Sequence, residues 1–308
     1  MPGKKRLAAV IGAFSYSGSY IARALMEEDW DVVTLTRRPD RPHPLQGKIP
    51  ATDLDFSKLE KISDNLRGVD TLVNTYWVRF NHPGSTFGEA IANTSTLLKA
   101  AKKAGVRRFV HLSVSNPDIN SKLPYYRGKA EVETIIKDSG LSYLILQPTL
   151  IFGKEELLVN NIAWLLRHLP LFIIPGKGDY RLQPIHVEDL ANVAANGASS
   201  DNNQVIPAAG PDILSFTDLI HFLSKAMGSR TRILYAHPQI ALGMAKVLSV
   251  ALRDVLLTND ELSGLMEERL YVGDEVVGTT GFREWALENV ELLGRQYTNE
   301  LHRHHSIS

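Results

Sequence analysis

The chain contains no cysteine among its 308 residues. That excludes disulfides, thiolate metal sites and cysteine nucleophiles together. Neither charge is in excess, since Lys plus Arg number 34 and Asp plus Glu number 34. A neutral chain lacks the electrostatic footprint that grips phosphate backbones, so nucleic acid is not an expected partner. Long apolar runs are missing too. The first, at 7–11, stops at Gly12 after five residues, too short for the apolar region of a signal peptide. No stretch reaches the roughly 18 uninterrupted apolar residues of a membrane span. The most apolar segment, 240–257, is broken by Lys246, Arg253 and Asp254. A cytoplasmic protein without a membrane span is the expectation, and no internal repeat or low-complexity segment interrupts it.

What is present is ordinary globular material. Hydrophobic residues make up 44% of the chain and charged residues 22%, enough to bury a full core. The length allows one large domain or two. Short runs that are apolar on both faces lie at 7–11, 32–36, 71–75, 109–112 and 143–146, with a weaker one at 52–54. Such runs belong to a parallel sheet covered on both sides. Helical patterns alternate with them at 19–28, 58–67, 88–104 and 128–139, and Gly68, Gly105 and Gly140 stand where three of these helices stop. The alternation specifies an α/β fold, a doubly wound Rossmann-type parallel sheet.

Beyond about residue 150 the pattern changes. Loops carry Pro170, Pro175, Gly176 and Gly178, and helices dominate at 159–168, 187–198, 216–227, 240–256 and 283–302. Ser215 with Asp218 marks one helix start. The expected organisation is a dinucleotide-binding domain over 1–153, with a strand returning near 204–208, and a smaller, mostly helical substrate region over 154–308. The 240–257 helix is expected to be mostly buried, with Lys246, Ser249 and Arg253 on a narrow polar stripe. Trp30, Trp164 and Trp285 fall on helix patterns as core residues. The histidine-rich tail His302-Arg303-His304-His305 is given no function.

Gly12-Ala13-Phe14-Ser15-Tyr16-Ser17-Gly18 follows the first strand directly. Glycines at a strand-to-helix turn permit a tight bend and close approach of a pyrophosphate to the helix N-terminus. The middle glycine of the usual spacing is missing, and Ser15 holds its place. Further along, Tyr125 and Lys129 stand four apart at a helix start, which stacks both on one face. A tyrosine is a poor base at its ordinary pKa near 10, but a neighbouring ammonium favours its phenolate. Bringing it near neutrality takes about three units, or about 4 kcal/mol, from Lys129 and a cationic nicotinamide ring. Tyr76, Trp77 and Phe80 follow the fourth strand, on the side where such sheets bind ligands. They either wall an apolar, planar substrate or pack the loop.

Together these motifs resemble the extended or atypical short-chain dehydrogenase/reductase family, in its NAD(P)-dependent epimerase/dehydratase-like branch. The resemblance runs from about residue 7 to about residue 228. It includes Asp55-Phe56 at the family's adenine-flanking position, Asn74-Thr75 along the cofactor channel, and Asn93 in the next helix. Gln147-Pro148 precedes Ile151-Phe152-Gly153, with Pro148 like the family's proline near the nicotinamide. Pro184-Ile185-His186-Val187-Glu188-Asp189-Leu190-Ala191 is similar to its late helix-opening motif. The resemblance implies cofactor contacts from Gly12, Phe14, Ser15, Tyr16, Ser17, Gly18, Asp55, Phe56, Asn74, Thr75, Lys129 and Pro148. It implies proton exchange at Tyr125, and it allows a homodimer through paired helices.

Two departures shape the expectation. Leu112-Ser113-Val114-Ser115 places Val114 where the family carries the hydroxyl that polarises the substrate oxygen, so Ser113 or Ser115 must substitute. Gln147 replaces a more usual arginine, which weakens a sugar-nucleotide substrate. The expected function is an NAD(P)(H)-dependent oxidoreductase, with Tyr125, Lys129 and Ser113 catalytic and Tyr76, Trp77 and Ser115 facing a small substrate. A non-catalytic NAD(P)-binding sensor or assembly protein is one alternative, and a nucleotide-sugar epimerase or dehydratase is another. No metal is expected. Strand two ends Thr36-Arg37-Arg38-Pro39-Asp40, with no carboxylate directly after it to hold a ribose 2′-hydroxyl. Arg37, seconded by Arg38, offers a planar fork to a 2′-phosphate. NADP(H) is therefore expected ahead of NAD(H).

Overall fold

The computed structural model describes residues 5–82 and 84–299. The chain first runs β1 (Leu7–Ile11), α1 (Tyr16–Glu27), β2 (Asp31–Thr36), β3 (Ala51–Asp53), α2 (Leu59–Asn65), β4 (Thr71–Asn74), α3 (Phe87–Ala104), β5 (Arg108–Leu112), α4 (Pro124–Lys137) and β6 (Ser142–Pro148). It continues through β7 (Ile151–Phe152), α5 (Leu157–His168), β8 (Leu171–Pro175), β9 (Arg181–Leu182) and β10 (Ile185–His186). Then come α6 (Val187–Ala198) and β11 (Gln204–Ala208). Last are β12 (Leu214–Ser215), α7 (Phe216–Ala226), β13 (Arg232–Ala236), α8 (Pro238–Leu252), α9 (Asn259–Met266) and α10 (Phe282–Glu288).

Two compact units result. The first takes the chain up to Pro148 together with Val187–Ala208, and the second takes Thr149–His186 and the chain from Ala209 on. The first is a seven-stranded sheet in the order β11-β6-β5-β4-β1-β2-β3, with every neighbouring pair parallel. This is the doubly wound Rossmann-type sheet expected from the strand runs. Strand order reverses between β1 and β4, and the crevice at such a switch point is where open α/β sheets hold ligands.

Apart from the half-buried Leu7 and Tyr143, the branched and apolar residues of β1, β4, β5 and β6 are buried on both faces, as helix-covered parallel strands require. Ala9, Ile11, Leu72, Phe109 and Ile145 join Leu97, Ala101, Val132 and Ile136 from the covering helices in one core. Gly105 stops α3 in the left-handed region at φ 77°. α6 returns to this unit by packing its buried face on α1 and the sheet, and two arginines at the foot of β5 grip its end. Arg107 donates to the Ala198 carbonyl and pairs with Asp70, while the fully buried Arg108 donates to the Gly197 and Asn202 carbonyls. Cations bound to the last carbonyls of a helix satisfy orphan acceptors and complement its dipole.

The second unit is built around α5, α7 and α10, with short strand pairs between them. Phe152, Leu166, Ile174, Leu182, Leu219, Leu223, Phe282 and Trp285 form its core. β8 pairs in parallel with β13, and β7 with β10. The Ser215 cap at α7 is a full capping box closed by Asp218. Gln183 is fully buried and clamps three segments, donating to the Gly210 and Gly273 carbonyls and accepting from the Val272 N–H. The last helix is shorter than its pattern implies, ending at Glu288 instead of running on to 302. Trp30 and Trp285 are buried, and Trp164 is half-buried against His168 and Tyr297. The tail motif His302-Arg303-His304-His305 lies outside the described residues. Among the described residues, no helix is long and apolar enough to cross a membrane.

Candidate active site

At the end of β1 the backbone turns at Gly12 with φ 82°, in the left-handed region. A Cβ there would stand 3.0 Å from Thr75 Oγ1, and one at Gly18 would stand 2.1 Å from the Gly12 carbonyl oxygen. Only glycine at 18 lets α1 start this close to the turn. Ser15 sits in the extended region at φ −97°, so the middle position needs no glycine freedom. Its Oγ donates to the Gly12 carbonyl at 2.6 Å and lies 3.5 Å from Thr75 Oγ1, which donates to the Ile11 carbonyl at 2.8 Å. The hydroxyls therefore brace the turn. Ser15 does not cap α1 with its side chain, and the first turn of the helix carries no acid. Uncapped N–H groups at a helix start, with no carboxylate opposing, fit the pyrophosphate of a dinucleotide.

The other expected cofactor residues surround this turn to different degrees. Phe14 is buried, and its ring stacks on His43 at 5.1 Å. Tyr16 sets its ring edge-on to Tyr20, and Ser17 is half-buried in the first turn of α1. Arg37 and Arg38 are exposed just past β2. Asp55 accepts from the Ser57 hydroxyl and N–H and pairs with Lys58, opening α2. The Ser57 hydroxyl bond, then Lys58, hold its carboxyl down to about 2. Phe56 packs its ring on Tyr76 at 4.9 Å, and the Tyr76 hydroxyl accepts from Asn93 Nδ2 at 3.0 Å. Asn74 is buried and bonded to His111 at 3.2 Å. Pro148 ends β6, its carbonyl accepting from the Ser115 N–H.

Pro124 starts α4 four residues earlier than its pattern implies, so Tyr125 and Lys129 both lie in its opening turns. Lys129 is 2% exposed. Its Nζ donates to the Leu112 carbonyl at 2.8 Å and lies 4.6 Å from the centre of the Trp77 ring. Burial pulls this amine down to about 7, with Glu133 opposing the shift. Tyr125 sets its ring edge-on to Trp77, Phe87 and Tyr126, and Trp77 stacks on Phe87 at 5.8 Å. The half-buried Tyr125 thus belongs to an aromatic wall.

Ser113 donates its hydroxyl to Glu133 Oε1 at 2.6 Å. Glu133 is buried and also accepts from Gln147 Nε2 at 2.9 and 3.0 Å and from Lys137 at 3.3 Å. Val114, between the two candidate serines, packs on Leu123 and Tyr126, and Ser115 is fully buried. Tyr125, Trp77 and Lys129 therefore come together, whereas the Ser113 hydroxyl is bound within a carboxylate network.

Glu133 and His111 escaped the sequence reading. Glu133 lies one turn past Lys129 on the same helix face, a position where a lone glutamate is ordinarily solvated. His111 is hidden inside an apolar strand. Burial, with the Lys129 charge second, pushes it well below the usual histidine range, which keeps it neutral. His111 Nε2 and Trp77 Nε1 are buried without a hydrogen-bond partner among the described residues. Among those residues no three His, Asp or Glu side chains converge as a metal site.

Residues 12–159 match the family described as NAD(P)H-binding. The chain is 24% identical over 264 residues to the NADH-ubiquinone oxidoreductase 40 kDa subunit, mitochondrial, of Neurospora crassa, spanning 83% of this chain and 69% of that protein. It is also 24% identical over 230 residues to the photosystem II assembly factor Ycf39 of Cyanophora paradoxa, spanning 73% and 70%. Among solved structures, the NADPH-dependent quinone oxidoreductase QOR2 of Escherichia coli, complexed with NADPH, superposes with a TM-score of 0.72. The identity is 22%, and the match covers 92% of this chain and 98% of that one. The region that matches this NAD(P)H-binding domain lies largely on the Rossmann-type parallel sheet. The same fold is shared with the UDP-N-acetylglucosamine 4-epimerase of Bacillus cereus, at a TM-score of 0.69 and 15% identity over 96% of this chain and 98% of that one.

Proposed function

We propose that the protein is an NADP(H)-dependent oxidoreductase that interconverts a carbonyl and a hydroxyl on a small, planar, apolar substrate. The observation that carries this reading is the pairing of Tyr125 and Lys129 on one face of α4, with Tyr125 set against Trp77 and Phe87. A binding protein with no proton to move has little use for that tyrosine.

A nicotinamide cofactor held at the Gly12–Gly18 turn would supply or take up hydride. In reduction the Tyr125 hydroxyl gives its proton to the substrate oxygen, and in oxidation it takes the proton back. Lys129, when protonated, favours the phenolate and thereby makes the exchange easier. Ser113, turned away from Glu133, donates a hydrogen bond to the same oxygen. Trp77, Tyr76 and Ser115 bound the substrate, and the aromatic rings select a flat, apolar one. The quinone substrate class named for the Escherichia coli structural relative has that shape. Arg37 and Arg38 favour the 2′-phosphate of NADP(H).

A second reading, a cofactor-binding assembly or sensor protein without turnover, draws on two contacts. Ser113 is bonded to Glu133, and Lys129 to the Leu112 carbonyl. The names of two relatives, a complex subunit and an assembly factor, point the same way. Gln147, spent on Glu133, argues against the nucleotide-sugar epimerase alternative. Following NADPH absorbance against a panel of quinones, aromatic aldehydes and ketones separates the two readings. Consumption with at least one planar carbonyl is expected. Tight NADPH binding with no consumption across the panel would favour the assembly reading.

A further inference from the structure

The second unit carries an apolar helix face that its own core leaves uncovered. α8 buries Ala241 and Leu242, yet Ile240, Met244, Val247 and Val250 are 57%, 46%, 73% and 80% exposed. With the exposed Gly243 and Ala251, these residues fill a single arc of about 120° on a helix of 3.6 residues per turn. No polar side chain interrupts the arc, and Lys246 stands beside it. The segment was expected to be mostly buried. It is not, because a helix apolar nearly all round needs two covering surfaces and this core supplies one.

Single exposed apolar residues need no explanation, but a contiguous stripe does. The charge along this stretch of chain argues for what covers it. Residues 219–253 contain no Asp or Glu, whereas Lys225, Arg230, Arg232, Lys246 and Arg253 are all exposed cations. The whole chain, by contrast, balances 34 basic against 34 acidic residues. The next acid, Asp254, is buried and accepts a hydrogen bond from the Tyr297 hydroxyl. A second copy of the chain, docking face to face about a two-fold axis, would bring cations against cations. An anionic lipid surface complements both features. The apolar arc enters the boundary between headgroups and acyl chains, and Lys246 beside it, with Arg253 at the helix end, meets lipid phosphates. We infer that α8 is a peripheral docking helix for an anionic lipid bilayer.

Co-sedimentation of the full-length protein with vesicles tests this. Vesicles of phosphatidylcholine alone are compared with vesicles of equal parts phosphatidylcholine and phosphatidylglycerol, at low and high salt. The protein is expected to pellet with the anionic vesicles, less so as salt rises. The double variant Val247→Asp/Val250→Asp should bind about tenfold more weakly or worse, with an unchanged melting temperature, because both side chains stand in solvent. Lys246→Glu should weaken binding to anionic vesicles alone. Failure to pellet, or pelleting undiminished in both variants, overturns the inference. So does a dimer in light scattering that Val247→Asp/Val250→Asp converts to monomer, which would make the face an interface between copies.

Discussion

Lys129 holds its amine where almost no water reaches, donating to the Leu112 carbonyl beneath the Trp77 indole. Burial takes it from 10.5 in a solvated chain to about 7 in the fold. Between those two values the unfolded chain binds more protons than the folded one. Stability contributed at this position therefore rises with pH from about 7 to about 10.5 and is lowest below 7. A shift of that size corresponds to about 5 kcal/mol at most. Lys129→Met removes the titration while keeping the volume. Denaturant unfolding should find the variant more stable than wild type near pH 6, with the gap closing toward about pH 10. A gap independent of pH would contradict the shift. The Tyr125–Lys129 pair was legible in the sequence because its spacing is itself the signal. Glu133 was not, since a lone helical glutamate is ordinarily solvated. Its burial depends on Ser113 from the end of β5 and Gln147 from β6, residues 20 and 14 positions away.

At the scale of elements, apolar strands between glycine stops were the most readable features. β1, β2 and β4 begin or end within a residue of their apolar runs, because a buried parallel strand must be apolar throughout. Helix starts were read late at α1 and α4, whose first turns are polar or open on proline. The glycine turn was readable in place but not in detail. Nothing in its letters says that Ser15 would fold back onto Gly12. The loop after β2 raises a question of selectivity that a titration answers. Arg37 is exposed there with no carboxylate directly beside it, and a charge-assisted bond to a phosphate is worth on the order of 1.5–3 kcal/mol. Arg37→Ala should weaken NADP(H) binding roughly tenfold to hundredfold and leave NAD(H) nearly unchanged. Tighter binding of NAD than NADP by the wild type would reverse the assignment.

Across the whole molecule, the two units are less contiguous in sequence than their composition implies. The change in composition near residue 150 marks the first crossing between them, but α6 and β11 return to the first unit. α6 stays there because its buried face packs on α1 and the sheet and because Arg107 and Arg108 reach carbonyls some 90 residues away. Long-range grips of this kind have no local pattern. The paired strands of the second unit are equally silent in sequence, because two-residue strands such as β7 and β10 are too short to show a period. The aromatic wall is assembled from three separate places, Trp77 after β4, Phe87 at the start of α3 and Tyr125 in α4. That convergence supports an oxidoreductase with Tyr125 as its proton-exchanging group. The direct check is to measure turnover and NADPH affinity side by side for the wild type and Tyr125→Phe, which removes one hydroxyl and keeps the ring in the wall. Turnover should fall by about a hundredfold or more while NADPH affinity stays within error of wild type. Turnover in Tyr125→Phe equal to that of the wild type would contradict the assignment.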